Sequence, residues 1–375
     1  MILVLVIFVV CNIAYILFII QIFSGWEKLK IATIDDNFIP TYGVSVIIAA
    51  RNEEKFIQKC IQSILANQYP DSLFEIIVID DHSSDNTRQM AENIESTKIS
   101  VFSLSEQLSG KKAAISYGVS LAKYPVILCT DADCIVAQSW MKSHSLAYSS
   151  RNNKIMTGLV LPETDETILS RFQWLDFAAT MAITAAGIRN KSFFLANGAN
   201  ISYKREVFEE VGGFEGNDHL SSGDDLFLMQ KIAKIYPEQV GFLKSKESVV
   251  NTKSETGWAS FISQRKRWAT KSMKVGDKKI ILIQSFVFIY VGFIFTGLIL
   301  GYICSDSVFW FAVSGLLVKM VTDFIFLFHL AKYFEKEKLM YSFPICFILY
   351  SAHILYSGIS ALLPSNFVWK GRDVK

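Results

Sequence analysis

Val126-Ile127-Leu128-Cys129-Thr130-Asp131-Ala132-Asp133 is a short apolar run that stops on two carboxylates separated by one small residue. Such a run, too short for a helix and bounded by polar residues, reads as a buried strand. The pattern recurs upstream. Val44 to Ala50 is rich in β-formers, and Phe56, Ile57, Cys60, Ile61, Ile64 and Leu65 follow at helical spacing. Phe74 to Ile79 is a second strand, ending on Asp80-Asp81, and Ile99 to Leu104 a third. Helical stretches near Thr87 to Ile94 and Lys112 to Leu121 separate these runs. Near-continuous apolar strands alternating with helices imply an α/β fold with a mostly parallel sheet covered on both faces. Ligands of such sheets bind at the carboxyl ends of the strands, so Asp80-Asp81 and Asp131 are expected at one crevice.

The chain has 375 residues, enough for about two domains. Its 51% hydrophobic content and mean hydropathy of +0.32 are too apolar for an ordinary soluble enzyme, so part of it is expected in lipid. The net charge of +2 argues against nucleic acid as the main partner, because phosphate-backbone binding draws on a strong basic surplus. Cys11, Cys60, Cys129, Cys134, Cys304 and Cys346 show no paired spacing and read as reduced, buried small hydrophobes.

Met1 to Phe23 carries no charge and is long enough to cross a hydrocarbon core of roughly 30 Å as an anchor. It has neither the basic start nor the small-residue cleavage site of a signal peptide. Lys28 and Lys30 follow, which places the next domain in the cytoplasm by the positive-inside rule. Further candidate spans are Ile280 to Cys304, Val308 to Leu330 and Met340 to Leu363. Three full crossings from a cytoplasmic Lys279 leave Lys370-Gly371-Arg372 outside, so either the Met340 segment is re-entrant or the tail charge is overridden. Lys319 and Asp323, four apart on one helical face, are placed to pair within the bundle, for packing or for function.

Acidic residues after a strand are often turn formers or helix caps, and that reading applies to Asp80, Asp81 and Asp85 taken alone. Asp131-Ala132-Asp133 is sharper, because two carboxylates flanking one small residue can approach a hard cation such as Mg²⁺ or Mn²⁺ together. No Cys or His spacing indicates zinc, and isolated His82, His144 and His219 are expected in surface or loop roles. No G-x-G-x-x-G follows the first strand, which weighs against a dinucleotide-dependent dehydrogenase.

Further motifs complete an ordered set: Val44 to Glu54, Ile79 to Asp85, Gly110-Lys111, Asp131 to Asp133, Gly198-Ala199-Asn200, Gly212-Gly213-Phe214, Gly223-Asp224-Asp225 and Gln264-Arg265-Lys266-Arg267-Trp268. From about Val44 to Trp268 the chain resembles the family 2 glycosyltransferases with a GT-A fold, including the membrane-integrated synthases of cellulose, hyaluronan and poly-N-acetylglucosamine. That resemblance implies a Rossmann-like cytoplasmic catalytic domain joined to transmembrane helices in a multi-pass cell-membrane protein. It implies a nucleotide-sugar donor, a UDP-sugar first, and Mg²⁺ or Mn²⁺ as cofactor. Asp81 would contact the base, with Ala49 and Glu53 lining the nucleotide cleft and Lys111 near it. Asp131 would contact the sugar side of the nucleotide and share the metal with Asp133. Asp225 would be the catalytic base beside Asp224. Gln264, Arg267 and Trp268 would contact the diphosphate and the acceptor.

The chemistry agrees with those roles. A cation and an arginine aimed at a leaving diphosphate stabilise its developing charge, and a placed carboxylate removes the proton of the incoming hydroxyl. One displacement with a base opposite the leaving group inverts the anomeric carbon. Trp258 to Lys279 mixes aromatic and basic residues and reads as an amphipathic helix on an anionic leaflet, in which Arg265 belongs to the solvated charge. The family often has glycine soon after the tryptophan, where this chain has Ala269-Thr270-Lys271. The expected division is an anchor over 1–23, a linker over 24–42, the catalytic domain over 43–245, the interfacial segment over 246–279, a bundle over 280–364 and a tail over 365–375. The acceptor is a polysaccharide or a lipid-linked molecule, with membrane lipids as surroundings; a catalytically silent nucleotide-sugar sensor is the alternative.

Overall fold

The computed structural model describes residues 2–35, 38–150, 152–216, 223–274, 277–362, 367–369 and 372–374. His219 and the Lys370-Gly371 pair lie outside them. Contacts divide the chain into an α/β unit (29–163, 194–253 and 366–375) and a helical unit (1–28, 164–193 and 254–365).

In the α/β unit, β1 (Val44–Ala50), α2 (Ile57–Leu65), β2 (Phe74–Asp80), α3 (Thr87–Glu92), β3 (Ile99–Ser103), α4 (Lys111–Leu121) and β4 (Val126–Asp131) follow in the expected alternation; α1 (Ile2–Lys28) belongs to the other unit. After β5 (Ile135–Val136), α5 (Trp140–Ser150), β6 (Ile155–Gly158) and β7 (Val160–Pro162) come β8 (Ile201–Lys204), α7 (Arg205–Glu210), α8 (Asp224–Ile235), β9 (Val240–Leu243) and β10 (Val250–Thr252). The main sheet has seven strands in the order β3-β2-β1-β4-β8-β6-β9. All its neighbours are parallel except β8, which runs antiparallel to β4 and β6. The core strands read mostly apolar because both faces are covered: Val46, Ile47, Ile48, Ile76, Ile77, Val126, Ile127 and Leu128 are all buried.

Register decides where the polar residues emerge. Ala49 pairs with Ile79 on one side and Asp131 on the other, and Ala50 pairs with Asp80. Chain order reverses across β1, with β2 on one side and β4 on the other, so the strand ends at Ala49, Asp80 and Asp131 flank a topological switch point. A small sheet, β5-β10-β7, extends the unit past residue 245 to Thr252.

The helical unit comprises α1 (Ile2–Lys28), α6 (Ile168–Arg189), α9 (Trp258–Lys274), α10 (Lys278–Cys304), α11 (Asp306–Tyr333) and α12 (Phe343–Leu362). Among the described residues, four helical segments, Ile2–Lys28, Lys278–Cys304, Asp306–Tyr333 and Glu337–Ser360, are long and apolar enough to cross a membrane. The continuous domain expected over 43–245 is interrupted by α6, which the contacts assign to the helical unit. Arg171, Gln173 and Asp176 keep α6 from reading as a span, yet Phe172, Trp174, Phe177, Met181, Ala182, Ala185 and Ala186 are all buried. Gly25 allows α1 to press against it: a Cβ there would lie 2.7 Å from Ala186 Cβ.

The interior of this unit is filled by side chains. Tyr15 stacks on Tyr290, and Ile294 is fully buried beside them. Lys319 and Asp323 form the anticipated ion pair; both are buried, and Tyr15 donates a 2.5 Å hydrogen bond to Asp323. Aromatic rings of Tyr15, Phe347 and Tyr350 face the Lys319 ammonium at 5.2 to 5.4 Å. A paired and enclosed lysine of this kind fits the packing role. The cysteines are all free, but only four are buried; Cys304 is exposed on its helix and Cys11 half-buried, against the expectation for both.

Candidate active site

The loops that leave β1 and β2 are laced together, and this settles what most of their acids do. Arg51 donates from Nη1 to the carbonyls of Asp81 and His82 at 2.6 and 3.0 Å. Asn52 accepts from the Ser84 amide at 2.8 Å, and the Glu53 amide donates to Thr87 Oγ1 at 2.6 Å. Asp85 accepts from the amides of Thr87 and Glu54, and Asp80 from that of Ser83, so both hold turns. Burial pushes the Asp85 carboxyl up, but the hydrogen bonds from Thr87 and Glu54 outweigh it and hold it below its ordinary value. Asp81 behaves differently. It is buried at the mouth of β2, and its Oδ2 accepts from the Gly110 amide at 3.1 Å. Gly110 has φ +94°, a conformation glycine adopts without strain, and it delivers Lys111 as the first residue of α4. Ala49, next to the last residue of β1, and Glu53, in the loop that follows it, are both half-buried.

Lys111 reaches across to the end of β4, where its Nζ lies 2.5 Å from Asp131 Oδ1. Ligand atoms of Asp131, Asp133 and Cys134 all lie within 4.8 Å of one another. The Cys134 thiol is fully buried and burial, with Asp133 and Asp131 nearby, pushes it well above its usual range, so it stays protonated. Hard divalent cations favour oxygen over sulfur, so the donors of interest here are the two carboxylates. These suit Mg²⁺ or Mn²⁺, which keep waters and substrate phosphates as their remaining ligands.

Asp224 and Asp225 begin α8, behind Gly223 at φ +86°. Asp225 accepts from the Gly198 amide at 2.7 Å through Oδ2 and from the Leu226 amide at 2.8 Å through Oδ1. Gly198 is a close-approach position: a Cβ there would lie 2.9 Å from Lys111 Nζ and 3.4 Å from Asp225 Cβ. Burial alone would favour the neutral amine of Lys111, but Asp131, Asp224 and Asp225 hold its ammonium well above the usual lysine value. One lysine, two strand-end carboxylates and two helix-start carboxylates thus converge from three separated stretches.

Asn200 ties this cluster to the interior. Its Nδ2 donates to the carbonyls of Leu159 and Ser248, which makes Oδ1 the acceptor for Trp140 Nε1 and His144 Nε2, both at 2.9 Å. His144 Nδ1 then accepts from Ser202 at 2.8 Å. His144 is fully buried on α5, which corrects the surface or loop role expected for it; His82, at φ +54° and bonded to the Leu108 carbonyl, does sit in a loop. Sequence reasoning missed His144 because its partners lie more than fifty residues away. Burial lowers the His144 imidazole to about 4, opposed by its bond to Asn200. The unfolded chain therefore binds the extra proton first as pH falls. Stability is full above about 6.5 and is lost towards pH 4, by up to about 3 kcal/mol. Thermal melts between pH 7 and 5 should fall more steeply for the natural protein than for His144→Gln; equal slopes would remove His144 as the cause.

Gln264, Arg267 and Trp268 belong to α9 of the helical unit. Gln264 Nε2 donates to Glu255 at 3.0 Å, and the Glu255 backbone is in turn bonded twice to Gln173 of α6. Arg265, expected among the solvated charges, is buried instead. Its Nη2 lies 2.6 Å from Asp176 Oδ2, an ion pair angled outside hydrogen-bond geometry. Its guanidinium lies over Trp268, Phe261 and Phe177 at 4.4, 4.9 and 5.0 Å. Within its own unit Trp268 packs against Arg265 and, edge to face, Phe177.

The family model "Glycosyl transferase family 2" matches residues 45–212. Among curated proteins, the chain is 27% identical over 184 residues to "Glycosyltransferase AglE" of Haloferax volcanii, covering 49% of this chain and 59% of that protein. It is 28% identical over 178 residues to the poly-beta-1,6-N-acetyl-D-glucosamine synthase of Staphylococcus epidermidis, covering 45% of this chain and 41% of that one. The chain thus spans less than two thirds of the length of either relative. Its fold is similar to that of the mannosyltransferase PcManGT from Pyrobaculum calidifontis, solved with GDP-Man and Mn²⁺, with a TM-score of 0.58 at 15% identity over 96% of this chain and 98% of that one. With the strand order and the register in agreement, residues 45–212 match the family 2 glycosyl transferase model, and the fold is of the GT-A type.

Proposed function

We propose that this chain is a membrane-bound inverting glycosyltransferase. It moves a sugar from a nucleotide-sugar, a UDP-sugar first, to a polysaccharide or lipid-linked acceptor. The observation that carries the reading is the convergence of Lys111, Asp131, Asp133, Asp224 and Asp225 beside the switch point of the sheet. Asp81, just past the end of β2, would meet the base, with Ala49 and Glu53 assigned to the nucleotide cleft by the family resemblance. Asp131 and Asp133 would hold Mg²⁺ or Mn²⁺, and the bound ion would neutralise charge developing on the departing diphosphate. Asp225 takes the proton of the acceptor hydroxyl; its carboxylate is oriented by the Gly198 and Leu226 amides. Asp224 shares the field of Lys111 with it. Gln264, Arg267 and Trp268 are assigned to the diphosphate and acceptor on their motif alone. The four span-length helices support a membrane location, and Lys28 with Lys30 a catalytic domain on the cytoplasmic side.

The poly-beta-1,6-N-acetyl-D-glucosamine synthases among the relatives favour a growing polymer as acceptor. One structural observation favours a single transfer to a lipid-linked acceptor: Tyr15, Tyr290, Ile294, Lys319 and Asp323 fill the space between the apolar helices, where a polymer would have to thread. Incubating purified protein with radiolabelled UDP- and GDP-sugars, Mg²⁺ or Mn²⁺ and membrane lipid should yield labelled product. A ladder identifies a polymerase, a single lipid-extractable species a one-step transferase. No product from any donor, with nucleotide binding intact, would replace the enzyme by a nucleotide-sugar sensor.

A further inference from the structure

Lys111 occupies an odd place for a residue whose expected task is to contact the nucleotide. Its ammonium is bonded to Asp131, a carboxylate of the proposed metal pair, and lies in the field of Asp224 and Asp225 as well. The region therefore already contains a cation, supplied by the chain. Two features keep it there. Gly110 starts α4 at Lys111, fixing the root of the side chain, and Gly198 leaves the room the ammonium fills, since any Cβ at that position would crowd it.

We infer that Lys111 is a resident counter-cation that excludes the divalent ion from Asp131 until a diphosphate draws the ammonium away. The inference rests on the metal and diphosphate reading of the proposed function and adds an order to it. A divalent ion and an ammonium on the same carboxylate oxygen repel each other at short range, so each weakens the binding of the other. A diphosphate offers the ammonium new anionic partners, after which Asp131 is available to the ion. Metal and nucleotide then bind cooperatively, and by linkage each raises the affinity for the other by the same factor. In the absence of donor, the arrangement keeps three carboxylates, Asp131, Asp224 and Asp225, partly neutralised and the site closed to stray cations.

The test uses the full-length protein in detergent and Mn²⁺ alone, followed by the electron paramagnetic resonance signal of the free ion. The natural protein should bind Mn²⁺ weakly without nucleotide and at least about tenfold more tightly with UDP or GDP, within the usual range of coupling between sites. Lys111→Met should bind Mn²⁺ about tenfold more tightly than the natural protein without nucleotide, and the gain on adding nucleotide should shrink by about the same factor, leaving the part due to phosphate oxygens on the ion. Lys111→Gln is the second neutral variant should the first not fold, and Lys111→Arg, which keeps the charge, should stay weak. Lys112→Met removes the same charge one residue away. An equal gain there would reduce the effect to general electrostatics and overturn the inference, as would unchanged Mn²⁺ affinity in the neutral variants. Asp131→Asn is the separate control on the metal reading: if it still binds Mn²⁺ like the natural protein, the metal assignment fails, whatever Lys111 does.

Discussion

Asp225→Asn is expected to lower sugar transfer by on the order of 10² to 10⁴-fold while leaving the affinity for UDP or GDP unchanged. The amide keeps the size of the carboxylate, and its oxygen can still accept from the Gly198 or Leu226 amide, so the start of α8 should hold its shape. What it loses is the capacity to take a proton. It also removes one of the three carboxylates that hold the Lys111 ammonium, while the Asp131 contact remains. Radiolabel transfer and calorimetric titration with nucleotide separate the two effects. Retained turnover would move the base elsewhere, with Asp224 the adjacent candidate; lost nucleotide binding would mean that Asp225 serves the donor instead.

Asp176→Ala is expected to destabilise the helical unit by about 3 to 5 kcal/mol, the usual cost of leaving one member of a buried ion pair without its partner. Arg265 is enclosed by Phe177, Phe261 and Trp268, and Asp176 is almost fully buried. Burial pulls the Arg265 guanidinium below its ordinary value, opposed by Asp176, yet arginine does not shed its proton in a protein. The unpaired charge would therefore persist inside α6 and α9. Thermal unfolding in detergent should show the loss, and the double replacement Asp176→Leu with Arg265→Met should recover most of it, because two apolar side chains of similar volume leave no charge to solvate. If the double variant melts as low as Asp176→Ala, the loss comes from packing and not from the orphaned guanidinium.

Much of the α/β unit was legible from local pattern. The strands from Val44, Phe74, Ile99 and Val126 lie within a residue or two of their expected limits, because strands covered on both faces are mostly apolar runs that end at polar residues, and the half-exposed edge strand from Ile99 keeps enough apolar residues to be read as well. The nearness of the strand ends at Asp80 and Asp131 followed from the rule that parallel strands end on one side. Lys111 and Asp225 were legible as motif residues, but their closeness was not, since it depends on the turn at Gly110 and the gap at Gly198. The helical unit was legible only in its apolar spans. Membership of α6 was hidden because its polar residues have partners far off in sequence: Gln173 with Glu255, and Asp176 with Arg265.

By itself the sequence determined the alternation of strands and helices, the four apolar helices and the acidic residues at the strand ends. Each of these rests on side-chain periodicity and on interactions within a single element. The tertiary structure alone decided which charge neutralises which. It put Lys111 on Asp131, Arg265 on Asp176 and the neutral ring of His144 on Asn200. The reason is physical: a buried polar group must find a partner, and the partner is whatever the packing of distant segments brings within about 3 Å.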